Sequence, residues 1–460
     1  MENKKTLLVG INARYSHISL SIYSIKAFLE ENGVECDIRE YTINDSYEHT
    51  FYDIIKKKPD IIGFSTYIWN IGLIERLSAD IKLALPKTKI VYGGPEAGYS
   101  GKKYENADKI ITGEGEAQFY KYVTNKEIEF SFSSSPFCYS SPILPGKTFY
   151  YESSRGCPYR CSYCISSLER ELKYKPLETV KKELMFFIKN KVKKVKFIDR
   201  TFNLRKDANE IFKFIIDNAD ETGFHFEIKP ELFNEESFEI LKKAPKGLIQ
   251  FEAGLQSLNE KTLSAINRKN DTELIFSNMK RLLENGNIHI HIDLIAGLPY
   301  EDLESFINGF NKVYSLMPDM LQLGFLKVLG GTQIEAQKEE FEMKYSPYPP
   351  YQVIKTKWMT VYDIIRLKCA ENGLEELSNK GFFTRALSFL FEKNDVTPFY
   401  IFENFGKLLE NEPPLSHPKL FEKFYNFYKS LGLKEENTFL SLLIEDFIEK
   451  NPNKPLFSYK

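Results

Sequence analysis

The sequence predicts an α/β protein in three parts: an N-terminal doubly wound (Rossmann/flavodoxin-like) domain, a partial (β/α)6 TIM-type barrel and an α-helical C-terminal domain. Three observations predict it. Short β-branched runs alternate with amphipathic segments from about residue 5 to 125, a second series of the same kind starts at about Thr148, and beyond about Gln333 the strand signals give way to successive helical patterns. The expected boundaries are 1–125, a linker at 126–147, 148–335 and 336–460.

In the first series, residues 6–11 read as a strand, 20–32 as a helix stopped by Gly33, 36–41 as a strand and 52–58 as a helix. A third strand follows at 60–65, a helix at 71–85 and a fourth strand at 88–92, ending at Gly93-Gly94-Pro95. A weaker strand, 109–112, runs into Gly113-Glu114-Gly115-Glu116 and another helix. Ligands of such parallel sheets lie in the crevice beyond the strand C-termini, where residues 12–17, 65–69 and 93–97 fall.

Residues 126–148 lose this rhythm, and Ser133-Ser134-Ser135-Pro136, Ser140-Ser141-Pro142 and Pro145-Gly146 read as a linker. The strands of the second series are 148–152, 195–199, 225–228, 248–252, 288–293 and 321–326, with helical patterns between them. Active groups of parallel barrels sit at strand C-terminal ends and the loops that follow. The tail reads as helices at 353–371, 382–391, 400–409, 418–431 and 436–450, broken by Pro413-Pro414 and Pro418.

Composition narrows the function. With 62 basic and 64 acidic residues the net charge is −2, which gives no long-range field for phosphate backbones, so no nucleic-acid partner is expected. No run approaches the roughly 18 apolar residues of a membrane span, and the N-terminus lacks the apolar stretch of a signal peptide. A soluble, cytoplasmic protein is expected. Six cysteines in 460 residues make no secreted disulfide framework, yet three of them fall within eight positions.

Those three are Cys157, Cys161 and Cys164 in Arg155-Gly-Cys-Pro-Tyr-Arg-Cys-Ser-Tyr163-Cys, directly after the first barrel strand. Three thiolates on one short loop cap three irons of a cuboidal [4Fe–4S] cluster and leave the fourth iron open. A closed ferredoxin site wants four cysteines and a structural zinc four ligands, yet the next histidine downstream is His225. Zinc and a chance grouping of thiols are the alternatives the residues leave open. Cys36, Cys138 and Cys369 read as ordinary buried thiols. His289 and His291 alternate with isoleucines and so share one strand face, either as lumen groups that relay protons or touch substrate, or as satisfied packing.

Cys-x3-Cys-x-aromatic-Cys at the end of a first barrel strand resembles the radical S-adenosylmethionine (SAM) superfamily over about residues 148–335. The resemblance implies that SAM chelates the open iron and that one electron from the cluster cleaves it to a 5′-deoxyadenosyl radical. By position it implies Cys157, Cys161 and Cys164 as cluster ligands and Tyr163 beside the adenine. Asp199 is the best match for the partner of the methionyl amino group, although the usual Gly-Gly-Glu is missing there. Glu227, Glu252, Gln256 and Arg268 resemble residues that hold the SAM ribose and carboxylate, and the backbone around Ile295 resembles the fifth-strand segment that meets the adenine.

A doubly wound domain before such a barrel resembles the cobalamin (B12)-binding class of radical SAM proteins, in the DUF4080-like branch with a helical C-terminal extension. The matching segments hold Asn12, Arg14, Tyr15, His17, Ser65, Thr66, Tyr67, Gly93, Gly94, Pro95, Glu96, Gly113 and Glu114, which the resemblance implies as cobalamin contacts. Asp-x-His-x-x-Gly, the motif that supplies a lower axial histidine in many cobalamin proteins, is absent. A cobalamin without protein imidazole, an emptied domain and His17 as lower ligand all agree with that. Methylthiotransferases also put an α/β domain before the barrel, but with three more cluster cysteines in it, whereas residues 1–125 hold only Cys36.

The resemblance therefore implies a cobalamin-dependent radical SAM enzyme, foremost a methyltransferase acting on an unactivated carbon through the 5′-deoxyadenosyl radical and methylcobalamin. It implies a one-electron reductant, flavodoxin or ferredoxin, and an organic substrate the sequence does not identify. Two other readings stand beside it: a radical SAM cyclase, rearrangement or C–S bond-forming enzyme using cobalamin differently or not at all, and a non-catalytic cobalamin or redox sensor.

Overall fold

The computed structural model describes residues 4–139 and 146–452; residues 140–145 of the expected linker lie outside them. In the first sheet β1 (Thr6–Asn12), β2 (Asp37–Thr42), β3 (Ile61–Ser65), β4 (Lys89–Gly93) and β5 (Lys109–Ile110) run parallel in the order β2-β1-β3-β4-β5. This is the flavodoxin-like order, with its switch point between β1 and β3. The helices are α1 (Leu20–Glu31), α2 (Tyr47–Lys57), α3 (Ile71–Ala84), α4 (Pro95–Tyr99) and α5 (Gly115–Thr124). Alternate strand residues feed two cores, as period-2 side chains dictate. Val9, Phe64 and Tyr92 pack with Ile74 and Leu77 of α3. Leu8 and Val91 pack with Ile22 of α1 and Phe119 of α5.

The second sheet begins with β6 (Thr148–Tyr151). A short antiparallel pair, β7 (Ser154–Arg155) and β8 (Lys173–Tyr174), then brackets the cysteine loop. Five more strands, β9 (Lys194–Phe197), β10 (Gly223–Ile228), β11 (Ile249–Gln256), β12 (His289–Ala296) and β13 (Met320–Phe325), continue it in parallel order from β6. Helices α6 (Leu177–Lys189), α7 (Ala208–Asn218), α8 (Glu235–Leu241), α9 (Glu260–Ala265), α10 (Thr272–Asn285) and α11 (Leu303–Tyr314) connect them. Val195, Phe197, Phe226, Phe251 and Ile292 pack on the helix side with Phe187, Phe212 and Met279.

A six-stranded partial barrel has two edges, and unpaired edge strands invite foreign pairing. Both edges are covered. At β6, the Thr148 N–H donates to the Ser16 carbonyl (2.6 Å) and His17 bridges Thr148 in parallel, so the β1–α1 loop acts as a short further strand. At β13, the Asn379 side chain both donates to Leu321 O (3.0 Å) and accepts from Leu321 N–H (3.1 Å), imitating a strand partner.

The tail comprises α12 (Gln333–Ala336), the hairpin β14 (Lys344–Tyr345) with β15 (Val353–Lys355), then α13 (Val361–Leu374), α14 (Thr384–Lys393), α15 (Pro398–Leu409), α16 (His417–Ser430) and α17 (Glu436–Lys450). Two expectations are corrected here. Residues 353–355 pair as a strand, and the helix expected from 353 starts at Val361, where Thr360 and Asp363 form a reciprocal capping box. Helix α2 starts five residues before the expected 52, at Tyr47, because the Ser46 side chain accepts from His49 N–H. Among the described residues no helix is long and apolar enough to cross a membrane.

Helices α13 and α15 pack backbone to backbone. A Cβ at Gly373 would lie 2.0 Å from the Phe402 carbonyl oxygen, and one at Gly406 would lie 1.8 Å from that of Cys369. Only glycine fits this crossing. Gly406→Ala is expected to force the helices apart and cost about 1–3 kcal/mol or more, read as a lower midpoint in chemical denaturation.

Candidate functional site

The cysteine loop is closed by its own sequence. Gly156 has φ +91°, and a Cβ there would lie 2.1 Å from the Glu171 carbonyl oxygen, so the turn into Cys157 requires glycine. Cys157 N–H donates to Glu169 O (3.1 Å), joining the two ends of the loop. In the middle, Ser162 N–H donates to Ile266 O and Ser162 O accepts from Ile334 N–H, both at 2.9 Å, so the barrel and the tail grip one residue. Arg268 donates to the Gly254 carbonyl and sets its Nη1 3.7 Å from Cys161 Sγ, placing a fixed positive charge beside that thiol. Tyr163 is partly buried and packs against the barrel core.

Among the described residues no three His, Cys, Asp or Glu side chains converge enough to hold a single metal ion. Zinc ligands must close to about 2.0–2.3 Å around one ion. Cys157, Cys161 and Cys164 share one loop, with the Arg268 guanidinium beside Cys161.

Arg155, the residue before Gly156, joins this loop to the first domain. Its guanidinium donates to Glu152 (2.8 Å) and to Glu116 of α5 (2.9 Å), lies 3.6 Å from Glu114, and stands over the Phe132 ring. Glu116 is buried and also accepts from the Ser24 hydroxyl (3.0 Å). Burial works against the charge on Arg155, but Glu152 and Glu116 outweigh it and hold the cation firmly protonated. Burial likewise opposes ionised Glu116, and Arg155 reverses that and lowers its pKa.

A cleft faces the loop. Its cavity volume is about 300 Å³, at the lower end of the roughly 300–1,000 Å³ of small-molecule pockets. Ser65, Tyr67, Gly93, Gly94, Pro95, Gly113 and Glu114 line one wall. Ile165, Ser166 and Glu169 of the loop, with Glu152, Arg155 and Arg200, line the other. It continues as an apolar slot between the sheet residues Leu8, Val91 and Ile111 and the helix residues Ile22, Ile25 and Phe119. Among the described residues no histidine lines it.

The other expected cobalamin contacts are elsewhere. Thr66 is buried, donates to Gly93 O (2.8 Å) and accepts from Ala97 N–H (3.0 Å); it fastens the turn in which Gly94 has φ +102°. Glu96 accepts from the Tyr351 hydroxyl of the tail, which in turn accepts from Lys102 (2.6 Å). Asn12 donates to His17 O (3.1 Å) and Glu40 (3.0 Å) and so shapes its own loop. Arg14 and Tyr15 are exposed, with Lys147 over the Tyr15 ring. His17 does not line the cleft, and its Nδ1 pairs with the Tyr150 hydroxyl (2.9 Å).

Asp199 is also corrected. It is 1% exposed, and its carboxylate accepts from Ser153 N–H (3.0 Å) and the Ser153 (2.5 Å) and Ser154 (2.6 Å) hydroxyls. It ties β9 to the turn before the cysteine loop and does not face the cavity. Glu227 does face the lumen, with Arg200 at 3.9 Å; burial raises its pKa to about 7 despite that cation. Gln256 has φ +71° at the end of β11 and a buried Oε1 without a partner among the described residues. Glu252 keeps different company, with Lys196 Nζ at 3.2 Å and His225 Nε2 at 3.1 Å. His291 lies on the same face, 3.0 Å from Asp293. Burial opposes protonated His291, and Asp293 outweighs it and raises the pKa. The turn containing Ile295's motif is pinned where Ser257 donates to buried Glu301 (2.5 Å). The remaining cysteines are free; burial pushes Cys36 and Cys138 up to about 12 and Cys369 to about 11.

Sequence reasoning missed Arg155, Glu152, Glu116 and Arg200. The available signal was adjacency: Arg155 abuts Gly156-Cys157, and Glu116 stands two residues after Glu114.

Three family models match along the chain: B12 binding domain at residues 6–123, Radical SAM superfamily at 151–310 and Protein of unknown function (DUF4080) at 339–459. The domains define the class, that of radical SAM proteins with an N-terminal B12-binding domain. Beyond that pair, the tail matches the DUF4080 model. The cofactors of this domain pair are a [4Fe–4S] cluster, SAM and cobalamin. The chain is 23% identical over 362 residues to the cobalamin-dependent radical SAM methyltransferase TokK of Streptomyces tokunonensis, covering 67% of this chain and 53% of TokK. It spans about half the length of the curated relatives it matches. Its fold is similar to the cobalamin-dependent S-adenosylmethionine radical enzyme OxsB (TM-score 0.67, 13% identity, 100% of this chain and 82% of that one). It is also similar to the radical S-adenosylmethionine methyltransferase TsrM of Kitasatospora setae with cobalamin and [4Fe–4S] cluster bound (TM-score 0.61, 14% identity, 74% and 75%).

Two consequences are measurable. Arg155→Met leaves buried Glu116 and part-buried Glu152 without their cation and is expected to cost about 3 kcal/mol in chemical denaturation. Burial raises Glu301 from 4.5 to about 8, with Ser257 opposing. The folded state therefore holds an extra proton between those values, so this contribution to stability is complete below pH 4.5, falls as pH rises and is gone above about 8. Glu301→Gln is expected to remove that slope, so the wild type loses more stability than the variant between about pH 5 and 8.5.

Proposed function

We propose that the protein is a cobalamin-dependent radical SAM enzyme, a methyltransferase acting on an unactivated carbon of an organic substrate, served by a one-electron reductant of the flavodoxin or ferredoxin type. The observation that carries this reading is the single cleft whose walls are the glycine-rich edge of the first sheet and the cysteine loop. The name and 23% identity of TokK support it. Residues 1–125, 148–335 and 336–460 are the proposed working units, joined by 126–147.

When bound, the cluster with SAM supplies hydrogen abstraction and cobalamin supplies a methyl carrier; the protein supplies position and seclusion. Cys157, Cys161 and Cys164 hold the cluster, and Arg268 offsets thiolate charge at Cys161. Tyr163, Glu227, Gln256, Arg268 and the backbone at Ile295 hold SAM. The unpartnered Gln256 Oε1 and the part-exposed Glu227 are free to accept hydrogen bonds there. Ser65, Tyr67, Gly93, Gly94, Pro95, Gly113 and Glu114 hold the corrin, and the apolar slot under the sheet takes its nucleotide tail. Among the described residues no histidine lines the cleft, so these hydroxyl, carboxylate and backbone groups are the ones that would hold the cofactor there.

Anaerobic purification with cobalamin supplied tests this. About four irons and one cobalt per chain are expected, with S-adenosylhomocysteine and 5′-deoxyadenosine both formed after reduction. 5′-Deoxyadenosine without bound cobalt overturns the cobalamin half, and the absence of both products overturns the whole.

A further inference from the structure

In a closed parallel barrel the inward side chains are mostly bulky and apolar and fill the interior. Here they are polar. On β9, Val195 and Phe197 face the helices, so Lys194 and Lys196 face the lumen. Strand β11 repeats the parity with Gln250 and Glu252, and β10 adds His225. Lys196 and His225 share the Glu252 carboxylate.

Lys194 has no such partner. Its Nζ donates to the neutral Gln250 side chain (2.7 Å), and among the described residues no carboxylate lies within ion-pair distance of it. Arg14, Lys147, Lys194 and Lys196 all act on His17, which covers the neighbouring edge, so the corner is cationic from both sides. His225, 3% exposed, keeps its buried Nδ1 without a partner among the described residues. A buried polar atom left unpaired is costly, and an ammonium held only by a neutral amide beside a second lysine calls for an anion.

We propose that this corner is the subsite that anchors an oxyanion of the substrate, a carboxylate or phosphate group, with Lys194 as its ion-pair partner and Lys196 and His225 beside it. The assignment rests on the barrel being the substrate chamber of the enzyme proposed above. Position restricts the substrate further. Lys194 is the first residue of β9, whereas the cysteine loop lies beyond the opposite strand ends. At about 3.3 Å per residue the subsite lies on the order of 10 Å below the mouth. The substrate is therefore an organic acid whose reacting carbon is several bonds from its acid group.

The test titrates cluster- and cobalamin-loaded protein with succinate and, separately, with inorganic phosphate at constant ionic strength, following the thermal midpoint. A saturable rise is expected with at least one probe, and which probe acts distinguishes a carboxylate from a phosphate. Lys194→Met is expected to weaken the apparent Kd about tenfold or more. Lys194→Arg is expected to retain most of the affinity, and Lys213→Met, on the exposed face of α7, to match the wild type. Gln250→Leu, which frees the Lys194 ammonium, is expected to bind at least as tightly and serves if Lys194→Met does not fold. No response to either probe overturns the proposal, as does a non-saturating rise shared by Lys194→Met, which is the general effect of excluded salts on folded proteins. Iron, cobalt and SAM products are read separately. Failure here leaves the methyltransferase reading intact, and a Lys194-dependent site in protein that forms neither SAM product keeps the subsite while removing that reading.

Discussion

The placement of the cysteine loop depends on one part-buried guanidinium. Arg155 stands between Glu116 of the first domain and Glu152 of the barrel, and the next two residues are Gly156 and Cys157. Burying carboxylates costs several kcal/mol each unless geometry and hydrogen bonds return it. Arginine's planar fork reaches both carboxylates while its face lies over Phe132, where lysine offers one point charge and no plane. Glu116 also sits in the first turn of α5, where the helix dipole favours an anion. The interaction that fixes the loop relative to the first sheet is thus the one that sets the width of the cleft between them.

A second constraint comes from stopping at six strands. Each exposed edge needs a partner, and the two other regions supply them: Ser16 and His17 at β6, Asn379 at β13. This use of the β1–α1 loop explains why Asn12, Arg14, Tyr15 and His17 are absent from the cleft walls. They lie beyond a strand C-terminus, as a ligand loop would, but the loop is spent on closing the neighbouring sheet. The tail is engaged similarly, since Tyr351 reaches Glu96 and a Cβ at Gly330 would lie 2.7 Å from Ser100 Cα.

Much of this was legible in the sequence because it is local. Hydrophobic period gave the βα alternation of both sheets, and three cysteines with an adjacent tyrosine marked the loop. The 93–95 and 113–114 turns reach the cleft as their place beyond β4 and β5 implies. What failed depended on partners far along the chain. Glu96 is claimed by a tyrosine 255 residues away. Asp199 is claimed by two serines 46 and 45 residues earlier. A polar residue at a strand end carries no local mark that separates a ligand contact from a brace. Residues 353–355 failed for a different reason, since Val-Ile-Lys suits a helix or a strand until the capping box at Thr360 is noticed.

The lumen shows the reverse case, a functional pattern present in the letters and visible only once the helix side is known. Lys-Val-Lys-Phe, Gln-Phe-Glu-Ala and His-Ile-His-Ile-Asp alternate like half-exposed antiparallel strands, yet all three belong to a parallel sheet, whose strands ordinarily read as continuous apolar runs. Helices cover only the Val, Phe and Ile face. The polar face is therefore turned away from the helix-packed core. Replacing paired interior charges with apolar residues is often neutral or stabilising, so stability alone gives no reason to keep Lys196, His225 and Glu252 there. A sheet that breaks its own packing rule on one face and obeys it on the other separates the face that holds the fold from the face that meets a ligand.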